Sequence, residues 1–82
     1  MSRQVILYTR HNCGLCEEAA ADLRQIQRDL GFTLLEHDID ADAALRGQYD
    51  DRVPVIVIDG RVIAESPIQP AMLREQLAAA LA

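Results

Sequence analysis

The sequence has no lysine and no tryptophan, and it has only two cysteines among its 82 residues. No apolar run approaches the ~20 residues that a membrane-spanning helix needs, and residues 1–5 lack the apolar core of an export signal. All eight basic residues are arginines and the net charge is −5, which argues against nucleic acids and anionic membranes as partners. The composition therefore predicts a soluble protein with neither nucleic-acid nor membrane partners.

The scarcity of cysteine also bears on the compartment. Small secreted domains that depend on disulfides usually carry several cysteines spread along the chain. Here the two cysteines stand three residues apart, at Cys13 and Cys16. In the cytoplasm a pair of this kind is kept reduced or acts as a redox device, so we expect a cytoplasmic protein.

The length and the hydrophobic content predict one folding unit. At 82 residues the chain is shorter than an average domain, and half of its residues are hydrophobic. A single core has to use most of those residues, because a small domain buries a smaller share of its surface than a large one. We expect one domain over residues 1–82 and a monomer.

Short apolar segments and helical patterns alternate along the chain. Apolar positions in steps of three and four follow Cys16 as far as Leu30, and Gly31 then ends the helix. Asp59-Gly60 is a strong two-residue hairpin turn, and Pro70 suits the first turn of a last helix. Strands are predicted at 4–8, 32–39, 53–58 and 61–65, and helices at 13–30, 43–49 and 71–81.

The order β-α-β-α-β-β-α determines the fold class. A helix joins the first two strands, so they should be parallel with a right-handed crossover, whereas the tight turn makes the last two antiparallel. The sequence thus predicts an α/β fold, a four-stranded mixed sheet sandwiched by three helices. The last helix is expected to point Met72, Leu73, Leu77 and Leu81 toward the core.

The segment Cys13-Gly14-Leu15-Cys16 lies where the first strand passes to the first helix. Cys13 is thereby expected near the helix N-cap, where unpaired N–H groups and the positive end of the helix dipole stabilise a thiolate. Cys16 lies one turn further on, within reach of a disulfide. This spacing near a β-α-β pattern is typical of thioredoxin-like redox motifs, and it predicts Cys13 as the nucleophile and Cys16 as the resolving residue.

Two alternatives to a redox role use the same cysteines. A zinc site of two cysteines and two histidines would need Cys13, Cys16, His11 and His37, but the histidines do not follow the zinc-finger spacing. An iron–sulfur cluster shared between two chains stays open, as does a binding module that kept the fold and lost turnover. No resident metal is expected.

Further signals surround the cysteines. Val53-Pro54 stands at the start of the third strand, where a proline is tolerated. Five short segments together resemble the glutaredoxins, most closely the small bacterial glutaredoxin-like proteins, over nearly the whole chain. They are Tyr8-Thr9-Arg10, Cys13-x-x-Cys16, Asp38-Ile39-Asp40, Val53-Pro54 and Asp59-Gly60.

The resemblance implies a thioredoxin fold and the reduction of disulfides in proteins or small molecules. It further implies a cis peptide bond before Pro54, which brings the Val53 backbone beside Cys13 to pair with the extended backbone of a substrate. Arg10 matches the basic residue that stands three before the first cysteine in many glutaredoxins. Arg10 is therefore a candidate partner of the thiolate or of the substrate.

Three positions depart from the glutaredoxin pattern. Ala64-Glu65 occupies the place of a Gly-Gly pair that helps to hold glutathione, Arg52 replaces a threonine, and Gly14 replaces a proline. The glutathione-binding motif is therefore incomplete. The stretch Ser66-Pro67…Pro70 resembles redoxins that serve ribonucleotide reductase and take electrons from thioredoxin reductase. Either glutathione or thioredoxin reductase is thus expected as the electron donor, and no other cofactor.

Overall fold

Strands and helices follow one another in the predicted order. The computed structural model describes residues 3–82. Met1 and Ser2, which belong to the segment 1–5 that was predicted to lack an export signal, lie outside the described residues. One short 3-10 helix, Ile39–Ala41, was not predicted. The other elements are β1 (Gln4–Thr9), α1 (Gly14–Leu30), β2 (Thr33–Asp38), α2 (Ala43–Tyr49), β3 (Val55–Ile58), β4 (Arg61–Glu65) and α3 (Pro70–Leu81).

The four strands form one mixed sheet in the order β2-β1-β3-β4. Strand β1 pairs in parallel with β2, as the helix between them requires, and antiparallel with β3. Strand β4 returns antiparallel to β3 after the turn at Asp59 and Gly60, whose φ angles of 52° and 76° suit a two-residue hairpin. The predicted fold class is confirmed.

Strand β3 is buried on both faces and separates two groups of apolar side chains. Ile56 and Ile58 pack in the core that α1 and α3 cover. Val55 and Val57 point to the opposite face, where they pack with Tyr49 of α2. The sheet is therefore sandwiched, with two helices on one side and one on the other.

Helix α1 buries one face and ends at a glycine, as its sequence predicts. Cys16, Ala19, Ala20, Leu23 and Ile26 are the buried positions. Gly31 then adopts a left-handed conformation (φ 69°), and its N–H donates to the Gln27 carbonyl at 2.9 Å. This helix carries both cysteines at its N-terminal end, and burial of its apolar face holds that end against the sheet. No helix within residues 3–82 is both long and apolar enough to cross a bilayer.

Several sequence predictions need correction. The end of β1 and the starts of α1 and α3 each differ by one residue from the predicted bounds. Strand β3 begins at Val55 rather than at Val53, since Pro54 has no N–H to give to a sheet. Strand β2 is one residue shorter at each end than predicted. The inward orientation of Met72 was wrong, because Met72 is 53% exposed. Leu73 is fully buried, and neighbouring positions on a helix are rotated by about 100°, which turns Met72 away from the core.

Candidate active site

Cys13 is the N-cap residue of α1. Its backbone is extended (φ −118°, ψ 102°), and its Sγ atom accepts a hydrogen bond from the N–H of Cys16 at 3.1 Å. Its carbonyl accepts from the N–H of Glu17 at 3.1 Å and so begins the helix. The sulfur thus occupies the place where a helix N-terminus offers unpaired donors and partial positive charge, which favours negative charge on sulfur.

The turn before Cys13 directs the chain from β1 into α1. Asn12 has a left-handed backbone with a φ of 56°. Asparagine tolerates that conformation better than most residues with a side chain. Asn12 was not among the predicted site residues, although an asparagine just before a helix start is a recognisable turn signal.

Cys16 lies beneath Cys13, in the first turn of the helix. The Cα atoms of the two cysteines are 5.2 Å apart, and their sulfurs are joined in a disulfide. Cys13 is partly exposed, whereas Cys16 is only 1% exposed. An incoming sulfur can therefore reach Cys13, while Cys16 is shielded because it lies on the buried face of α1.

Val53 and Pro54 lie immediately before β3. The peptide bond between them is cis. Pro54 is buried, and its carbonyl accepts from the N–H of Ser66 at 3.0 Å. The N–H of Val53 donates to the Tyr49 carbonyl at 3.2 Å, but no backbone hydrogen bond within residues 3–82 engages the Val53 carbonyl. Of the two Val53 backbone groups expected to meet a substrate, the carbonyl is the one left without a backbone partner.

A groove with a volume of about 280 Å³ lies next to this segment. It extends from Leu15, which stands between the two cysteines, to the start of α3. Pro54 forms part of its wall, so the groove joins the cysteine turn to the loop before β3. The residues that line it are Leu15, Glu18, Ala19, Asp22, Pro54, Ile68 and Pro70.

Arg10 joins three separate parts of the chain. Its guanidinium donates to the Asp40 carboxylate at 2.8 and 3.3 Å, to the Asp50 carboxylate at 2.9 Å and to the Asp50 carbonyl at 3.0 Å. These bonds raise the pKa of Arg10, and the hydrogen bond from Arg10 is the main cause that lowers the pKa of Asp40. Arg10 therefore ties the end of β1 to the 3-10 helix and to the end of α2. Its role toward the thiolate or the substrate stays a prediction.

Two departures from the glutaredoxin pattern contact each other. The Nε of Arg52 donates to the Glu65 carboxylate at 2.6 Å, and this hydrogen bond is the main cause that raises the pKa of Arg52. The Arg52 guanidinium also lies 5.3 Å from the centre of the Tyr49 ring, which stacks on Tyr8 at 4.6 Å. The sequence carried no signal for this pair, because opposite charge alone does not select Glu65 among the acids of the chain.

The four residues of the zinc alternative do not gather in one place. Cys13 and Cys16 bond to each other, His11 lies 3.2 Å from the Asp38 carboxylate, and the His37 ring meets the Tyr8 ring edge-on. In the range that the structure describes, residues 3–82, no group of three or more histidine, cysteine or acidic side chains is arranged to hold a metal ion.

Comparison with known proteins identifies the family of this chain. The family model described as "Glutaredoxin-like domain (DUF836)" matches residues 4–82. An uncharacterized protein of Mycobacterium tuberculosis (strain ATCC 25618 / H37Rv) is 36% identical over 84 residues, which cover 95% of this chain and 87% of the relative. An uncharacterized protein of Mycobacterium bovis matches to the same extent.

Solved structures show the same similarity in three dimensions. The X-ray structure of a protein from X. campestris superposes with a TM-score of 0.78 at 36% identity, covering 92% of this chain and 96% of that one. Thioredoxin 1 from Thermosipho africanus has a TM-score of 0.72 at 12% identity, covering 95% and 93%, and shares the fold. A thioredoxin-like fold with a Cys13–Cys16 pair suggests a redox function. With its family match over residues 4–82, this chain belongs to the glutaredoxin-like family.

Proposed function

We propose that this protein is a thiol–disulfide oxidoreductase that reduces disulfides in proteins or small molecules by dithiol exchange. The observation that supports it most directly is the position of the Cys13 Sγ atom, which accepts the Cys16 N–H at 3.1 Å at the start of α1. A partly exposed sulfur at a helix N-terminus is favoured as a thiolate, which is the nucleophilic form of cysteine. We propose that the reaction takes place in the cytoplasm, where a reduced dithiol is maintained.

In the first step the Cys13 thiolate attacks one sulfur of a substrate disulfide. A bond forms between the Cys13 sulfur and that sulfur, the substrate S–S bond breaks, and the other substrate sulfur leaves as a thiolate that takes up a proton. The product is a mixed disulfide on the exposed cysteine. The partial positive charge of the α1 N-terminus stabilises the Cys13 thiolate before attack and later makes it a better leaving group.

In the second step Cys16 loses its proton and attacks the Cys13 sulfur. The intramolecular disulfide forms, and the bound half of the substrate leaves as a thiolate that is then protonated. Two electrons pass from the dithiol to the substrate, which becomes two thiols. The 5.2 Å between the two Cα atoms suits this bond, and a Cys16 that is 1% exposed meets the mixed disulfide rather than a second solvent thiol.

Regeneration requires an external reductant, for which the proposal names glutathione or thioredoxin reductase. The two donors differ in what they demand of the protein. Glutathione has to form a mixed disulfide with Cys13, whereas a reductase dithiol reduces the pair by the reverse of the two steps above. Supplying the oxidised protein with NADPH and either glutathione plus its reductase or thioredoxin reductase identifies the donor by which mixture consumes NADPH.

Substrate docking is proposed at Val53 and Pro54. The Val53 carbonyl can accept a backbone N–H from an extended substrate segment, since no backbone group within residues 3–82 occupies it. Pro54 adds a buried apolar surface to the groove that begins at Leu15. Together these contacts would hold a substrate sulfur close to Cys13.

The test compares two single variants with the wild-type protein. Cys13→Ser should reduce disulfide exchange to the rate of the dithiol reductant alone, because the remaining cysteine is buried. Cys16→Ser should still attack but should stop at a mixed disulfide, which mass spectrometry detects as an adduct of one substrate half. Full activity of Cys13→Ser, or failure of Cys16→Ser to form an adduct, would disprove the proposed mechanism.

A further inference from the structure

The groove beside the cysteine turn has an exposed apolar rim over a buried apolar floor. Leu15 is 55% exposed, although it is a large hydrophobic residue, while Ala19 and Pro54, which line the same groove, are buried. Ile68 and Pro70 extend the apolar lining toward α3. Exposed apolar surface of this kind, beside a reacting group, is typical of a site that a partner side chain covers.

The same groove carries negative charge on one wall. Glu18 and Asp22 stand four residues apart on α1, so they lie on the same side of the helix and both line the groove. None of the ion pairs formed within residues 3–82 includes either carboxylate. The groove is therefore apolar at its floor and acidic at its edge.

No arginine lines the groove, and three arginines are paired with other acids. Arg10 is held by two aspartates, Arg52 by Glu65, and Arg74 by Asp29 at 2.5 Å. The whole chain is also acidic, with a net charge of −5. A ligand that enters the groove thus meets two uncompensated carboxylates close to the redox pair.

We propose that this groove selects the substrate of the reaction described above, and that the preferred substrate is a protein segment whose disulfide is flanked by an aliphatic side chain and by lysine or arginine. The aliphatic group would cover Leu15 and Pro54, and the cationic group would pair with Glu18 and Asp22. Anionic small disulfides such as oxidised glutathione, which carry more carboxylates than ammonium groups, are repelled by the same wall.

This inference rests on the proposed function and adds a substrate class to it. The chemical step is unchanged: the segment's S–S bond is reduced to two thiols as the Cys13 and Cys16 thiols are oxidised to a disulfide. The carboxylates of the groove affect encounter and docking of the substrate rather than cleavage of the S–S bond. Their effect should therefore be seen in kcat/KM, measured at limiting substrate.

The experiment uses three synthetic peptides that share one cysteine next to leucine and differ only in two flanking residues, which are lysine, glutamine or glutamate. Each cysteine is capped as a mixed disulfide with thionitrobenzoate, whose release by the reduced protein is followed by absorbance. For the wild-type protein we expect kcat/KM to be highest for the lysine peptide and at least about threefold above the glutamate peptide at low salt. High salt should shrink this ratio.

The variants remove negative charge at different places, two carboxylates in the groove and one outside it. In the double variant Glu18→Gln and Asp22→Asn, the ratio of kcat/KM for the lysine peptide to kcat/KM for the glutamate peptide should approach one. Glu75 is an exposed residue of α3 that lies outside the groove lining and has no ion-pair partner within residues 3–82. In the variant Glu75→Gln the ratio should be retained. A ratio taken within each variant cancels any effect of the lost carboxylates on the reactivity of the sulfur.

A second measurement separates the groove from the redox chemistry. The same peptides with serine in place of cysteine cannot react, and their binding is measured by NMR titration of the oxidised protein. Preferential binding of the lysine peptide that is lost in the double variant supports the groove even if no peptide is reduced, in which case the redox proposal alone fails. Equal binding of the three peptides, or equal loss of preference in Glu75→Gln, overturns the groove proposal.

Discussion

The Sγ atom of Cys13 accepts the N–H of Cys16 at 3.1 Å, so the sulfur proposed to react is also the N-cap acceptor of α1. One hydrogen bond thus links the chemistry of the site to the stability of the helix that carries it. A change at Cys13 can alter both, and the two effects can be separated by choosing the replacement.

The two effects predict different behaviour for Cys13→Ser and Cys13→Ala. Serine keeps an oxygen that can accept the Cys16 N–H, whereas alanine leaves that donor without a cap. Both variants lack the disulfide and should be inactive, but the alanine variant should be less stable by about 0.5–2 kcal/mol. Urea unfolding of both proteins under reducing conditions measures the difference, and equal midpoints would show that the cap contributes nothing.

Arg10 should make the stability depend on pH through Asp40. The pKa of Asp40 is lowered, first by its hydrogen bond from Arg10. A carboxylate with a lowered pKa stabilises the folded state above its pKa in the unfolded chain, and that contribution is lost as the pH falls through the lower pKa of the folded state.

Arg10→Gln should therefore lower the free energy of unfolding near neutral pH, and its difference from wild type should narrow below about pH 4. Denaturant unfolding across this pH range measures the difference. Arg61→Gln is the matched control, since Arg61 is exposed and has no ion-pair partner within residues 3–82. A gap between wild type and Arg10→Gln that stays constant with pH would contradict the assignment.

Two glycines should respond in opposite directions to the same substitution. Gly31 has a φ of +69° at the end of α1, and Gly47 lies inside α2; a Cβ atom at either position meets no atom within 4 Å. Gly31→Ala should destabilise the protein by about 1–2 kcal/mol, because a side chain disfavours the left-handed backbone. Gly47→Ala should stabilise it by about 0.5–1 kcal/mol. Thermal unfolding compares the two, and a shift of the same sign in both would argue against this account.

Leu23 holds α1 against the sheet and is completely buried. Leu23→Ala should lower the free energy of unfolding by about 2–5 kcal/mol through lost burial and a residual cavity. Met72→Ala removes a comparable side chain that is 53% exposed, and it should change stability by less than about 0.5 kcal/mol. Similar losses in the two variants would mean that Met72 is covered in solution.

Most of the fold could be predicted from local sequence patterns. The spacing of apolar residues in α1, the stop at Gly31 and the turn at Asp59-Gly60 each depend on neighbours a few residues away. The connection lengths then required a parallel β1–β2 pair and an antiparallel β3–β4 pair. Cys13 at the mouth of a helix followed from the same local patterns.

The surroundings of the cysteines could not be predicted in this way. Arg10 meets Asp40 and Asp50, which lie 30 and 40 residues away in the chain. Arg52 pairs with Glu65 across the β3–β4 hairpin, although each residue alone is only a charged surface position. Partners of this kind depend on which loops the sheet order brings together, and charge by itself does not select among the many acids of the chain.

The sequence by itself determined the order of the elements, the fold class and the pair of cysteines at the start of α1, because hydrophobic periodicity, turn residues and a three-residue spacing are local properties. The tertiary structure alone decided that Glu18 and Asp22 share a groove with Pro54 and Ile68, and that Arg10 and Arg52 are paired with other acids. Those relationships arise only when α1, the loop before β3 and the start of α3 pack side by side. Packing then brings residues that are distant in sequence close together in space.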